Sequence, residues 1–429
     1  MGEKMSAVKL QKRDNDFFVS YGHSDLGRIT PLVDLLKRLC GLRVWIDESG
    51  GNAAKRSSEL LAGAIGNARG ALFCLSEAWK RSSWCKDEYD VSLCEQRANT
   101  GFEIVCLRLD DVEPPGWFNV SEVIDLRELN PSAIARLLRS LASDVPRRFD
   151  NTEDVYLAAP WSRPSLLTNE IFEALSRMGW RLVGDNPTQR HLGEKRIESI
   201  QRTTRGIVAV MPHDPSQPDS ATSPYILQEA QLAVSLGKPV LLLAEPGVRP
   251  PEDLVSGAFR GQSYTLSTDT DGRAALSMLL EDFDEMLQHQ PHDDTGAFIF
   301  FAASLRGTPA EADDISTVIE RSSNMRCVRG ERLSGDNVQT AIIDLIKRAT
   351  VVIADVSDDH RNTLIEAGIA MGCGTRLKLI CREPPVGLPL KKRFMFEGQE
   401  LFWYKTPEQR LALCYYFARQ FRRHVYVLH

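Results

Sequence analysis

Asp16-Phe-Phe-Val-Ser-Tyr21 opens an order of elements that the chain runs through three times. An apolar run this short reads as a strand buried on both faces, as a parallel sheet requires. Strands of the same kind recur at Asp154-Val-Tyr-Leu-Ala-Ala159 and Ala297-Phe-Ile-Phe-Phe-Ala302. An amphipathic helix follows: Ile29, Leu32, Leu35, Leu36 and Leu39 recur at helical spacing in the first unit, and Ile171, Leu175 and Met178 in the second, before Gly179 ends the helix. Another strand comes next, at Leu42-Arg-Val-Trp-Ile46, Trp180-Arg-Leu-Val183 and Met325-Arg-Cys-Val328. A helix ending in Arg plus a small residue then leads to a strand, a polar loop and a helix that carries a glutamate. The three versions are Asn67-Ala-Arg-Gly70 with Ala71-Leu-Phe-Cys-Leu75 and Glu88, Thr204-Arg-Gly206 with Ile207-Val-Ala-Val210 and Glu229, and Lys347-Arg-Ala-Thr350 with Val351-Val-Ile-Ala354 and Glu366.

Strands alternating with helices predict an α/β fold with right-handed crossovers. The expected architecture is three tandem flavodoxin-like, Rossmann-like modules with mainly parallel sheets. Turn formers and charges gather at 144–153 and 289–296, which divides the chain into 1–147, 152–289 and 295–429. Ligands in such folds sit at the carboxyl ends of the strands.

Composition narrows the function classes. With 43% hydrophobic and 26% charged residues, the chain has material for several cores. Its formal net charge of −6 argues against binding nucleic acid or an anionic membrane through a global basic excess. Two local basic clusters, Lys391-Lys392-Arg393 and Arg419 with Arg422 and Arg423, read as solvated faces. The nine cysteines are odd in number and several lie in apolar runs, as Cys74 and Cys106 do, which predicts reduced thiols rather than a disulfide framework. No cysteine pair has zinc-ligand spacing with matching histidines, so no metal is expected. No signal-peptide core or membrane-length apolar run is present, and a cytoplasmic location is the expectation.

The first unit carries the chemistry. Trp84 and Glu88 are four residues apart, so on a helix they share one face and line one pocket. An aromatic surface beside a carboxylate suits a planar cation such as nicotinamide joined to ribose. Breaking that bond develops oxocarbenium character on the sugar, which a carboxylate stabilises. Nicotinamide departs neutral from a pyridinium, so no general acid is required and one carboxylate suffices.

The segments Asp16-Phe-Phe-Val-Ser-Tyr-Gly-His-Ser-Asp25, Val44-Trp-Ile-Asp-Glu-Ser49 and Ser82-Ser-Trp-Cys-Lys-Asp-Glu88 together resemble the Toll/interleukin-1 receptor (TIR) family across roughly residues 14–145. The resemblance implies that Glu88 is catalytic and that Ser20, Tyr21, Gly22, His23, Asp47, Ser49 and Trp84 form the substrate pocket. It implies NAD+ as substrate, no separate cofactor, and self-association through TIR domains. A signalling TIR that only binds other TIR domains is the alternative, and the Gly-rich loop after Glu48 departs from the family's assembly segment.

In the third unit, Ile353-Ala-Asp-Val-Ser-Asp-Asp-His-Arg-Asn362 and Thr363-Leu-Ile-Glu-Ala-Gly-Ile-Ala-Met-Gly372 look like the nucleoside deoxyribosyltransferase-like superfamily, and the second unit keeps a weaker version around Glu229. The resemblance implies that Asp355, Asn362 and Glu366, with Glu229, hold a nucleotide-like signal or mark where a protein trigger acts. A glycosidase acting at Glu366 is a further alternative. The whole arrangement is similar to bacterial antiphage proteins in which a recognition region triggers TIR NADase activity by oligomerisation.

Overall fold

The computed structural model describes residues 13–47, 58–99, 101–114, 122–142, 154–160, 166–185, 194–213, 222–267, 269–289, 297–304, 309–330, 338–357, 360–385 and 396–426. Three mainly parallel sheets lie among them. The first holds β1 (Asn15–Tyr21), β2 (Val44–Ile46), β3 (Ala68–Leu75), β4 (Glu103–Arg108) and β5 (Glu122–Asp125). The second holds β6 (Asp154–Ala158), β7 (Arg181–Gly184), β8 (Gly206–Met211), β9 (Val240–Ala244) and β10 (Ser263–Thr265). The third holds β11 (Phe298–Ala302), β12 (Arg326–Arg329), β13 (Val351–Asp355), β14 (Leu377–Arg382) and β15 (Leu401–Tyr404). In each sheet the strands run second, first, third, fourth, fifth, which is the flavodoxin-like order expected from the repeat. A short last strand, β16 (His424–Val425), adds antiparallel to β7 at the edge of the second sheet, although the sequence places it after the third unit.

Helices α1 (Leu26–Asp34), α2 (Ser58–Gly66), α3 (Glu77–Arg81), α4 (Ser83–Ala98) and α5 (Pro131–Ser140) belong to the first unit. The second has α6 (Leu166–Arg177), α7 (Glu194–Gln201), α8 (Pro224–Ser235), α9 (Glu252–Ser256) and α10 (Thr270–His289). The third has α11 (Pro309–Ser323), α12 (Val338–Arg348), α13 (Arg361–Gly372) and α14 (Pro407–Gln420).

Period-two alternation sorts the first sheet's side chains. Phe17 and Val19 of β1, with Leu72 and Cys74 of β3, face α1 and α5. Phe18, Phe73 and Leu75 face the other way, toward α4. The α5 side does not end at solvent. It merges with α11 and α14 into one apolar core shared by the first and third units. Polar contacts edge this interface, with Arg139 Nη1 3.1 Å from Asp314 Oδ1 and Ser132 Oγ donating to Asp314 Oδ2 at 3.1 Å. Gly41, at φ +62°, lets the Tyr416 ring in so closely that a Cβ there would lie 2.8 Å from it.

The carboxy-terminal arginines correct the sequence expectation. Arg423 is 1% exposed and donates to Asp154 Oδ2 at 2.8 Å, while Arg419 meets Asp16 Oδ1 at 2.8 Å. Asp16 and Asp154 are buried at the amino ends of β1 and β6, and a buried carboxylate demands cationic partners. Those demands draw the arginines inward. Lys391, Lys392 and Arg393 lie outside the described residues. All nine cysteines are free, as expected, and burial pushes the Cys106 thiol up to about 12. No described helix is long and apolar enough to cross a membrane.

Candidate active site

The site forms where β1 and β3 end side by side, with Ser20 opposite Phe73 and Tyr21 opposite Cys74. This is the switch point of the sheet, since the chain leaves β1 toward β2 on one side and returns to β3 on the other. Two serines then start two helices in succession. Ser76 Oγ accepts from Trp79 N at 3.0 Å to cap α3, and Ser82 Oγ accepts from Cys85 N at 3.2 Å to cap α4. Ser76 in turn donates to the buried carboxylate of Asp25, which ties α3 to the turn after β1.

This framing brings three side chains into line. The Trp79 indole Nε1 donates to Ser20 Oγ at 2.8 Å, and Ser20 Oγ donates to Glu88 Oε2 at 2.5 Å. Trp79, Ser20 and Glu88 are 0%, 1% and 5% exposed, so bulk water does not compete for these bonds. Alternation along β1 puts Ser20 on the same face as Phe18, which is the α4 side.

Glu88 forms part of the wall of a pocket with about 360 Å³ of empty space, counting its mouth. Tyr21, His23, Asp47 and Trp84 line the same pocket, together with Ser82 and Cys85. Trp84 and Asp47 are half-buried and His23 is exposed, so the pocket runs from a dry wall to a wet rim. Tyr21 closes one side. Its hydroxyl donates to the Asp47 carbonyl at 2.6 Å, and its own carbonyl accepts from Cys85 Sγ at 3.4 Å.

The other expected residues sit elsewhere. Ser20 stands behind Glu88 as its hydrogen-bond donor. Gly22 serves packing, because a Cβ there would lie 2.7 Å from both Ala78 Cβ and Trp79 N. Ser49 lies outside the described residues. Trp79 was not singled out by the sequence. Its indole reaches Ser20 across 59 residues, and a single tryptophan in the short, charged stretch Glu77–Arg81 carries no mark of such a bond.

In the third unit Asp355 turns inward. It accepts from Ser357 N at 3.2 Å, Tyr404 Oη at 2.8 Å and Arg410 Nη1 at 3.3 Å. Asn362 is exposed at the start of α13, and half-buried Glu366 packs so near Gly330 that a Cβ there would be 2.6 Å from its Oε1. In the second unit Glu229 lies near Asp185 and Tyr156. Burial pushes its carboxyl up to about 8; the Tyr156 hydrogen bond opposes this and the Asp185 charge adds to it. Among the described residues, no cluster of three or more His, Cys, Asp or Glu side chains is placed to hold a metal ion.

The TIR-domain family matches residues 17–138. The crystal structure of the TIR domain of the Toll-related receptor TRR-2 from Hydra magnipapillata is similar at 18% identity, over 30% of this chain and 98% of that one, with a TM-score of 0.26. No curated protein matches the chain. Residues 17–138, which carry the Glu88 pocket, are a TIR domain.

Proposed function

We propose that this TIR domain cleaves NAD+ at the nicotinamide–ribose bond, with Glu88 as the catalytic carboxylate. The observation that carries the proposal is a carboxylate 5% exposed in the wall of a pocket that also presents Trp84. The half-buried Trp84 ring offers a flat surface to the nicotinamide ring. As the N-glycosidic bond breaks, its electron pair goes to the ring nitrogen, nicotinamide leaves neutral, and positive charge develops on the ribose. A fixed carboxylate lowers the energy of that cation. Water then bonds to the anomeric carbon and loses a proton, which yields ADP-ribose; in a cyclase an adenine nitrogen takes the place of water.

Self-association is the proposed trigger. The α5 face of the TIR domain is already covered by α11 and α14, so contacts between chains fall to its other faces. The second and third sheets, with Glu229, Asp355, Asn362 and Glu366, are the proposed place where a nucleotide or protein signal acts. Antiphage defence by NAD+ depletion is the setting proposed for it.

The test is nicotinamide release by the full chain under conditions that assemble it. Glu88→Gln is expected to lower turnover by about 100-fold or more while assembly and circular dichroism stay unchanged. Turnover that survives this change sinks the proposal. Assembly without any NAD+ consumption favours a TIR domain that only binds, and product formation lost in Glu366→Gln alone favours the third unit as the catalyst.

A further inference from the structure

We infer that Trp79 is a positioning residue for Glu88 and acts through Ser20. Its kinetic consequences rest on the NAD+-cleavage proposal, whereas its hydrogen bonds do not. An indole N–H is only a donor, and here it points at Ser20 Oγ from 2.8 Å. It thereby fills an acceptor position on the hydroxyl. The single hydroxyl hydrogen is left to Glu88 Oε2, 2.5 Å away. A hydroxyl that donates to a carboxylate makes a charge-assisted bond, and such a bond fixes the direction of the carboxylate that is to face a ribosyl cation. Were Glu88 protonated and donating, the Ser20 hydrogen would need another acceptor. Trp79 thus sets the polarity of the chain as well as its geometry.

The indole has little freedom to do otherwise. Ser76 caps the helix that bears it, and its ring meets Phe73 edge-on, with centroids 6.0 Å apart at 81°. Gly22 admits Trp79 N to within 2.7 Å of where a Cβ would stand, so α3 sits hard against the end of β1. A core tryptophan needs only some acceptor for its N–H, and a carbonyl would serve. This one uses the side chain that also holds Glu88.

Two measurements on the full chain test the inference. The first follows the Trp79 indole N–H by ¹⁵N NMR, assigned through its backbone. Ser20→Ala is expected to shift this resonance and speed its exchange with solvent. Glu88→Gln also shifts it, but has no effect in the Ser20→Ala background. The second is kinetic. Trp79→Phe keeps a ring in place and is expected to lower kcat about 10-fold, the scale of one hydrogen bond to a charged group, with KM within about 2-fold. Ser20→Ala does the same, and the double variant is no worse than Ser20→Ala. An unchanged kcat in Trp79→Phe, losses that multiply in the double variant, or an indole resonance indifferent to Ser20→Ala overturns the assignment. A chain that releases no nicotinamide defeats the cleavage proposal, and the resonance then decides the positioning role alone. The same measurement stands if Trp79→Phe does not fold.

Discussion

Replacing Arg423 by Ala tests how firmly the carboxy-terminal segment is held to the second sheet. Arg423 is 1% exposed and its Asp154 partner, 2.8 Å away, is 0% exposed. Removing one member of such a pair leaves a buried charge behind, which costs about 3–5 kcal/mol. Two features favour the lower end of that range. Arg181 also meets Asp154, at 3.0 Å, so the carboxylate keeps a cation. Burial also presses the Arg423 guanidinium down to about 10 against the pull of Asp154, and truncation relieves that desolvation. The expected loss is about 3 kcal/mol. Three sheets need not unfold together, so amide exchange in β7 and β16 is the proper measure, with urea unfolding beside it. Arg38→Ala is the control. Its partner Asp34 is 3.5 Å away, but the two side chains are 78% and 48% exposed, and its loss is expected to cost under about 0.5 kcal/mol. An Arg423→Ala chain no less protected than Arg38→Ala would refute the claim that burial makes this pair matter.

Two further perturbations are set by single observations. Gly22→Ala forces a Cβ to within 2.7 Å of Ala78 Cβ and Trp79 N, so it is expected to cost about 1–3 kcal/mol in thermal unfolding and to lower turnover by moving Trp79; an unchanged melting temperature shows that the turn yields freely. The Glu229 carboxyl is raised from 4.5 to about 8, so its contribution to stability is fully present below pH 4.5 and is lost as pH rises through 8. Wild-type stability should therefore fall relative to Glu229→Gln across that window, and a difference that stays constant from pH 4 to pH 9 counts against the buried acid.

Much of the fold and part of the site could be read from the residues. Near-continuous apolar runs such as Val351–Ala354 can hardly be anything but inner strands, and their repetition with helices between them forces the parallel order. Trp84 and Glu88 were legible because helical spacing places them together whatever the tertiary structure. Long-range polar pairing left no such trace. Nothing near Arg423 marks a partner 269 residues away, and a charged residue at the end of a chain belongs in solvent unless a buried acid calls for it. Asp355 shows the same gap from the other side: an acid at a strand's carboxyl end gives no sign in the sequence of its bonds to Tyr404 and Arg410, from later elements.

The carboxy-terminal segment also bears on how the TIR domain can be controlled. Asp16 stands in the first sheet where Asp154 stands in the second; Ala297 immediately precedes β11 in the third. Burial alone would raise the Asp16 carboxyl, but Arg419 and Arg69 outweigh it and hold the group below its usual range. Arg419 and Arg423, four residues apart, thus reach the amino ends of β1 and β6 from one helix and its exit, while Arg410 of the same helix binds Asp355 at the carboxyl end of β13. The Glu88 pocket lies at the opposite end of β1, roughly 15 Å along the strand. The segment therefore fastens the three sheets without covering the pocket. Among the described residues the pocket is lined from the first unit alone, so the signal proposed for the second or third sheet has no described contact there to withdraw. In the function proposed above, such a signal acts on which TIR faces meet a neighbouring chain.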